Sequence, residues 1–113
     1  MSTITLWEWR QDVALDPGQL VGFGVEAQDG SIGKIDEVTS DVGASYVVIN
    51  TGPWIFGKKV LIPASMIDRV DYDTETAYVM AMKEQIKNAP EFDESTYRDP
   101  SYRDRVGEYY GHR

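Results

Sequence analysis

A chain of 113 residues that is 42% hydrophobic and 27% charged can bury one ordinary core, and it is too short for two independent domains. Nineteen acidic residues against eleven basic ones leave a formal net charge of -8, which opposes any general attraction to phosphate backbones or anionic lipid. Cysteine is absent, which excludes disulfides, thiolate nucleophiles and Cys-ligated metals, and a histidine triad would have to be built on His112, the only histidine.

Residues 1–17 combine Leu6, Trp7 and Trp9 with charges and end at the turn-prone Asp16-Pro17-Gly18, so they predict an N-terminal arm with hydrophobic handles. The first ten residues lack a basic region followed by an apolar run, and no stretch approaches about 18 apolar residues. A cytoplasmic protein without membrane insertion is expected. Val25 to Gln28 alternates, Asp29-Gly30 offers a tight hairpin turn, and Ile32 to Val38 runs back. After Asp41-Val42-Gly43, the β-branched run Tyr46 to Thr51 predicts a strand that returns through Gly52 to Gly57 into Lys58 to Ile62. Pro63 to Met66 fits a single helical turn, and Ile67 to Asp71 with Thr76 to Met80 forms a third strand pair. Short strands at this spacing predict an all-β fold, a small barrel or sandwich.

Ala81 to Asn88 carries good helix formers and stops before Pro90, which predicts a short helix closing the domain at residues 18–92. In residues 93–113 the triplet Tyr97-Arg98-Asp99 recurs as Tyr102-Arg103-Asp104. That five-residue spacing fits neither a helix nor a strand, so a C-terminal tail without regular amphipathic structure is expected.

Leu20 to Phe23, the hairpin Asp29 to Val38, Tyr46 to Ile49, Lys59 to Pro63 with Ile67, and Glu84 to Pro90 together resemble the PRC-barrel family. That family is named after the photosynthetic reaction centre H subunit and includes the C-terminal domain of a ribosome maturation factor and many small stand-alone bacterial proteins. The resemblance implies a PRC-type β-barrel of about six strands that acts as an adaptor or docking surface, with no catalytic residues or cofactor to carry over. The chain is most similar to the stand-alone members.

The candidate chemistry is sparse. Gly22 to Ala27 satisfies G-x-G-x-x-A, but a hairpin follows it where a dinucleotide site needs a helix. Asp71, Asp73 and Glu75 imitate the start of a calcium loop, yet the sixth position is Thr76 and the twelfth is Met82. Asp36 and Glu37 are adjacent on a strand and point to opposite faces, so they cannot act together as acid and base. No enzyme, cofactor or metal is therefore expected.

Two groups of residues remain as interaction candidates. Trp54, Ile55, Phe56, Lys58 and Lys59 form an apolar and basic cluster suited to a partner. Trp7, Trp9, Tyr97, Tyr102, Tyr109 and Tyr110 are candidates for self-association in a homodimer, with an arm folded back on its own barrel as the alternative. The expected function is a non-enzymatic protein-interaction module. The alternative is a ribosome- or RNA-associated assembly factor, which one branch of the resembled family and Lys58 with Lys59 suggest and the net charge disfavours.

Overall fold

The β-branched runs of the middle zone become six strands in one sheet. The computed structural model describes residues 7, 9, 16–40, 44–52 and 58–111. The strands are β1 (Gly24–Ala27), β2 (Gly30–Val38), β3 (Tyr46–Asn50), β4 (Lys59–Pro63), β5 (Ile67–Asp71) and β6 (Thr76–Val79). Their order across the sheet is β4-β3-β2-β1-β6-β5. The three expected hairpins are present as antiparallel pairs, and β1 also pairs in parallel with β6. Tyr46, Val47, Val48 and Ile49 are all buried, as a strand covered on both faces requires.

Two expectations about the sheet need correction. Ala27 pairs with Gly30, so the first hairpin turns on Gln28 and Asp29, one residue earlier than the sequence suggested. Gly30 still adopts a positive φ, but as the first residue of β2. The second correction concerns closure, because the strands form an open sheet in which β4 and β5 are the two edges. A flat sheet of this width would hold those edges about 24 Å apart, five spacings of about 4.8 Å. Pro63 and Ile67 are nevertheless joined by the single 3-10 turn Ala64–Met66, and four residue steps reach at most about 14 Å. The sheet must therefore curl, bringing its edges together at this corner without a ladder between them. Backbone hydrogen bonds anchor the corner on both sides: Ala64 N–H donates to Ser45 O (3.0 Å) and Met80 N–H donates to Met66 O (2.8 Å).

Helix α1 (Lys83–Lys87) lies where its composition placed it, with Ile86 buried and the Lys83 N–H donating to the Asp29 carboxylate at 2.8 Å. The tail departs from expectation. Residues 100–111 form a second helix, α2 (Pro100–Gly111), with Tyr102, Val106 and Tyr110 buried. The five-residue repeat misleads because its two copies occupy different structures. Tyr97 to Asp99 sits in a turn built on Asp93, which accepts from Ser95 N–H and Tyr97 N–H, whereas Tyr102 to Asp104 lies inside α2. The working spacing is four, from Tyr102 to Val106 to Tyr110, one side of a helix. Pro at the first helical position and Gly at the last were the signals available to find it.

Candidate interaction surface

The cluster proposed for partner binding is only partly assembled. Trp54, Ile55 and Phe56 lie outside the described residues. The two lysines that follow are engaged by carboxylates. Lys58 Nζ meets Glu91 Oε2 at 3.1 Å in an exposed pair of little energetic weight. Lys59, on β4, sits 2.9 Å from Asp36 Oδ2 and 4.0 Å from Glu94 Oε2. The hydrogen bond to Asp36 holds the Lys59 ammonium above its usual pKa. Glu91 and Glu94 belong to the segment after α1, far away in sequence, so the body's one basic cluster is neutralised by acids that only tertiary structure brings to it.

The aromatic residues proposed for self-association all pack on their own chain. Trp7 O accepts from Ser45 N–H at 2.8 Å, and its ring meets Tyr46 edge-on at 6.5 Å. Its indole also lies against Gly107 of α2, where a side-chain carbon would approach Nε1 to 3.1 Å. Trp9 Nε1 donates to Thr39 O at 3.1 Å. Tyr97 is buried, meets Tyr46 edge-on and Phe92 at a tilt, and donates its hydroxyl to Glu37 Oε1 at 2.8 Å. Burial, reinforced by that carboxylate, pushes the Tyr97 phenol up to about 12. Tyr102 donates to Pro90 O at 3.3 Å, and burial raises its phenol to about 12 as well. Tyr109 donates to Gln85 O. Trp7 and Tyr97 thus both pack on Tyr46 of β3.

Tyr110 is the exception in this group. Its ring is buried and its hydroxyl has no hydrogen-bond partner. Burial raises its pKa strongly, keeping it neutral. An orphan hydroxyl costs about 1–3 kcal/mol of desolvation, so Tyr110→Phe is expected to leave stability unchanged or raise it by about 1 kcal/mol. Urea unfolding of the two proteins measures this, and a clear loss of stability would show that the hydroxyl has a partner.

The groove that lies along β2 and the end of β3 was not marked as a site by the sequence. It is an open, largely apolar concavity of about 700 Å³ lined by Val21, Ile32, Gly33, Ile35, Asn50 and Thr51 among others. Gly22 N–H donates to Ile35 O at 2.8 Å, fixing one wall against β2. Gly33 brings β2 against β3 so closely that a side-chain carbon there would stand 2.1 Å from Asn50 O. Val21 is 53% exposed at the rim. Two residues on, Phe23 meets Tyr72 edge-on at 5.8 Å, and Tyr72 is itself 40% exposed on the β5–β6 turn. Gly24 N–H closes the connection by donating to Glu75 O at 2.9 Å. The stretch from Val21 to Gly24 thus ties the groove to the turn; Ile32, Ile35 and Phe23 are buried, and Val21 and Tyr72 are the apolar side chains left exposed along it.

In that turn the Asp71 carboxylate is taken up by the turn's own backbone. Asp71 Oδ1 accepts the backbone N–H groups of Thr74 and Asp73, and the bond from Thr74 holds its carboxyl below the usual range. Among the described residues no three His, Cys, Asp or Glu side chains gather in a way that would hold a metal ion.

A family model for the PRC-barrel domain matches residues 13–86. The chain belongs to the PRC-barrel family. The match spans all six strands and stops inside α1, so Trp7, Trp9 and α2 lie outside it. A search of curated proteins finds no match. Among solved structures, the chain is similar to a 16S ribosomal RNA processing protein, RimM, of Pseudomonas aeruginosa, with a TM-score of 0.52 and 18% identity over 60% of this chain. The alignment spans 44% of the RimM chain, less than half of its length. At this identity the likeness concerns the fold. Among the described residues, no helix is long and apolar enough to cross a membrane.

Proposed function

We propose that this PRC barrel is a non-enzymatic, cytoplasmic protein-interaction module that docks a partner on the surface made by the groove and the β5–β6 turn. The observation that carries the reading is the pairing of an open apolar groove with two exposed apolar side chains, Val21 and Tyr72, on a frame of hydrogen-bonded strands. Side chains of this kind lose little conformational freedom on docking and gain from being covered. Photo-crosslinkers placed at positions 21, 72 and 108 test it, since Glu108 is exposed on α2. Saturable capture of a partner through positions 21 and 72, with none through 108, is the expected outcome. Equal labelling from all three would refute the surface.

A role in ribosome assembly is a second reading, favoured by the description of the RimM neighbour as a ribosomal RNA processing protein. The local electrostatics argue against direct RNA contact, because Asp36, Glu91 and Glu94 occupy Lys58 and Lys59. Binding to single-stranded or ribosomal RNA is expected to be no tighter than about 10⁻⁴ M at physiological salt. Micromolar binding lost on changing both lysines to Glu would put the RNA reading first. A homodimer supported by the aromatic residues is tested by sedimentation of the intact chain beside Trp7→Ala/Trp9→Ala: a dimer that the double variant loses would support it, and a monomer at tens of micromolar would exclude it.

A further inference from the structure

We propose that the partner segment received by this surface is a cationic, apolar stretch of polypeptide, with its basic side chains set against the carboxylates of the β5–β6 turn. The inference rests on the docking reading above and adds the chemistry of the occupant. Apolar contact is supplied by the groove, by Val21 at its rim, and by Tyr72 on the turn that Phe23 and Gly24 tie to the same stretch of chain.

The charge around that contact is one-sided. Asp71, Asp73 and Glu75 flank Tyr72 within the same turn, and Asp16 stands exposed before the 3-10 turn that leads to Val21. Asp36, on the groove wall, is already matched by Lys59 and contributes no net charge. Against the four remaining acids stands Lys34 on the groove. Arg69, the base nearest in sequence to the turn, is stacked over the Tyr78 ring at 4.0 Å.

An acidic rim around an apolar contact selects its occupant by sign. It attracts Lys or Arg flanking a Leu, Val or aromatic anchor, and it repels an acidic segment or a nucleic-acid backbone. Two members of the surface are also held ready, because the Asp71 carboxylate accepts two backbone N–H groups and the Tyr72 ring is braced by Phe23. Little ordering cost is then left to pay on binding.

Three short synthetic peptides of equal length test the proposal, alternating Lys and Leu, Ser and Leu, or Glu and Leu. Each is titrated into the ¹⁵N-labelled full chain. The Lys–Leu peptide is expected to shift the amides of residues 21–24, 32–35, 50–52 and 72–75, to bind about tenfold more tightly than Ser–Leu, and to weaken with salt. The Glu–Leu peptide should bind least. Changing Asp71→Asn, Asp73→Asn and Glu75→Gln together should cost the Lys–Leu peptide about tenfold and leave Ser–Leu unaffected, whereas Val21→Ser should weaken both. All four positions are at the surface or keep their hydrogen-bonding atoms, so the fold is retained. Equal binding of Lys–Leu and Ser–Leu at the mapped residues would overturn the cationic partner and leave the docking surface standing. Shifts scattered over acidic residues elsewhere and indifferent to Val21→Ser, or no shifts at all, would overturn both.

Discussion

Replacing Gly33 by Ala is expected to destabilise the protein by about 3 kcal/mol or more, seen as a fall in Tm of roughly 12 °C or more. Gly33 has a φ of +148°, where L side chains are strained, and its added carbon would stand 2.1 Å from Asn50 O and 2.9 Å from Thr51 Cα. Both obstacles are backbone, so no side chain can rotate away. Either β3 moves off β2, breaking the centre of the sheet and the groove with it, or β2 changes its path. Gly22→Ala is the matched control. That residue also has a positive φ, +94°, but nothing lies within 4 Å of the added carbon, so only backbone strain of about 1 kcal/mol applies. Similar thermal shifts for the two variants would show that the close approach of the strands is not what Gly33 provides.

The second large effect is expected at the tail. Tyr102→Ala removes a ring that is 1% exposed between α2 and the barrel, a type of change that costs about 3–5 kcal/mol in a core that cannot relax. Here a limit applies, because α2 can let go while the strands stay folded. The loss then cannot exceed what docking of the tail contributes. Truncation after Phe92 removes the docked tail entirely and is expected to lower Tm by about as much as Tyr102→Ala. Hydrogen exchange should show protection lost across α2 in the variant and retained in β2 and β3. An unchanged Tm after truncation would return residues 93–113 to the status of a free arm.

The positions of the six strands and the corner turn could be read in the sequence because they depend on local chemistry. β-branched runs such as Tyr46 to Ile49 bury both faces, and turns such as Tyr72 to Glu75 interrupt them at short range. The Gly30 to Asp36 hairpin pattern with Val60 to Pro63 was specific enough to point to the PRC barrel. The exact turn was misread, since Asp29-Gly30 is the stronger local turn signal while register is decided by what the strands bury.

The tail was misread for a related reason. Its hydrophobic face consists of Tyr102, Val106 and Tyr110 alone, and a helix so sparsely apolar gains its stability from the surface it covers. The same holds for the charges. Lys58 and Lys59 read as a basic cluster along the chain, but Asp36, Glu91 and Glu94 arrive from β2 and from the segment after α1 to neutralise it. Residue types and local spacing determined the strands and the family. Which side chains share a surface depended on contacts across many residues, as where Val21 lines the groove beside a Phe23–Tyr72 contact, and local sequence carries no signal for those.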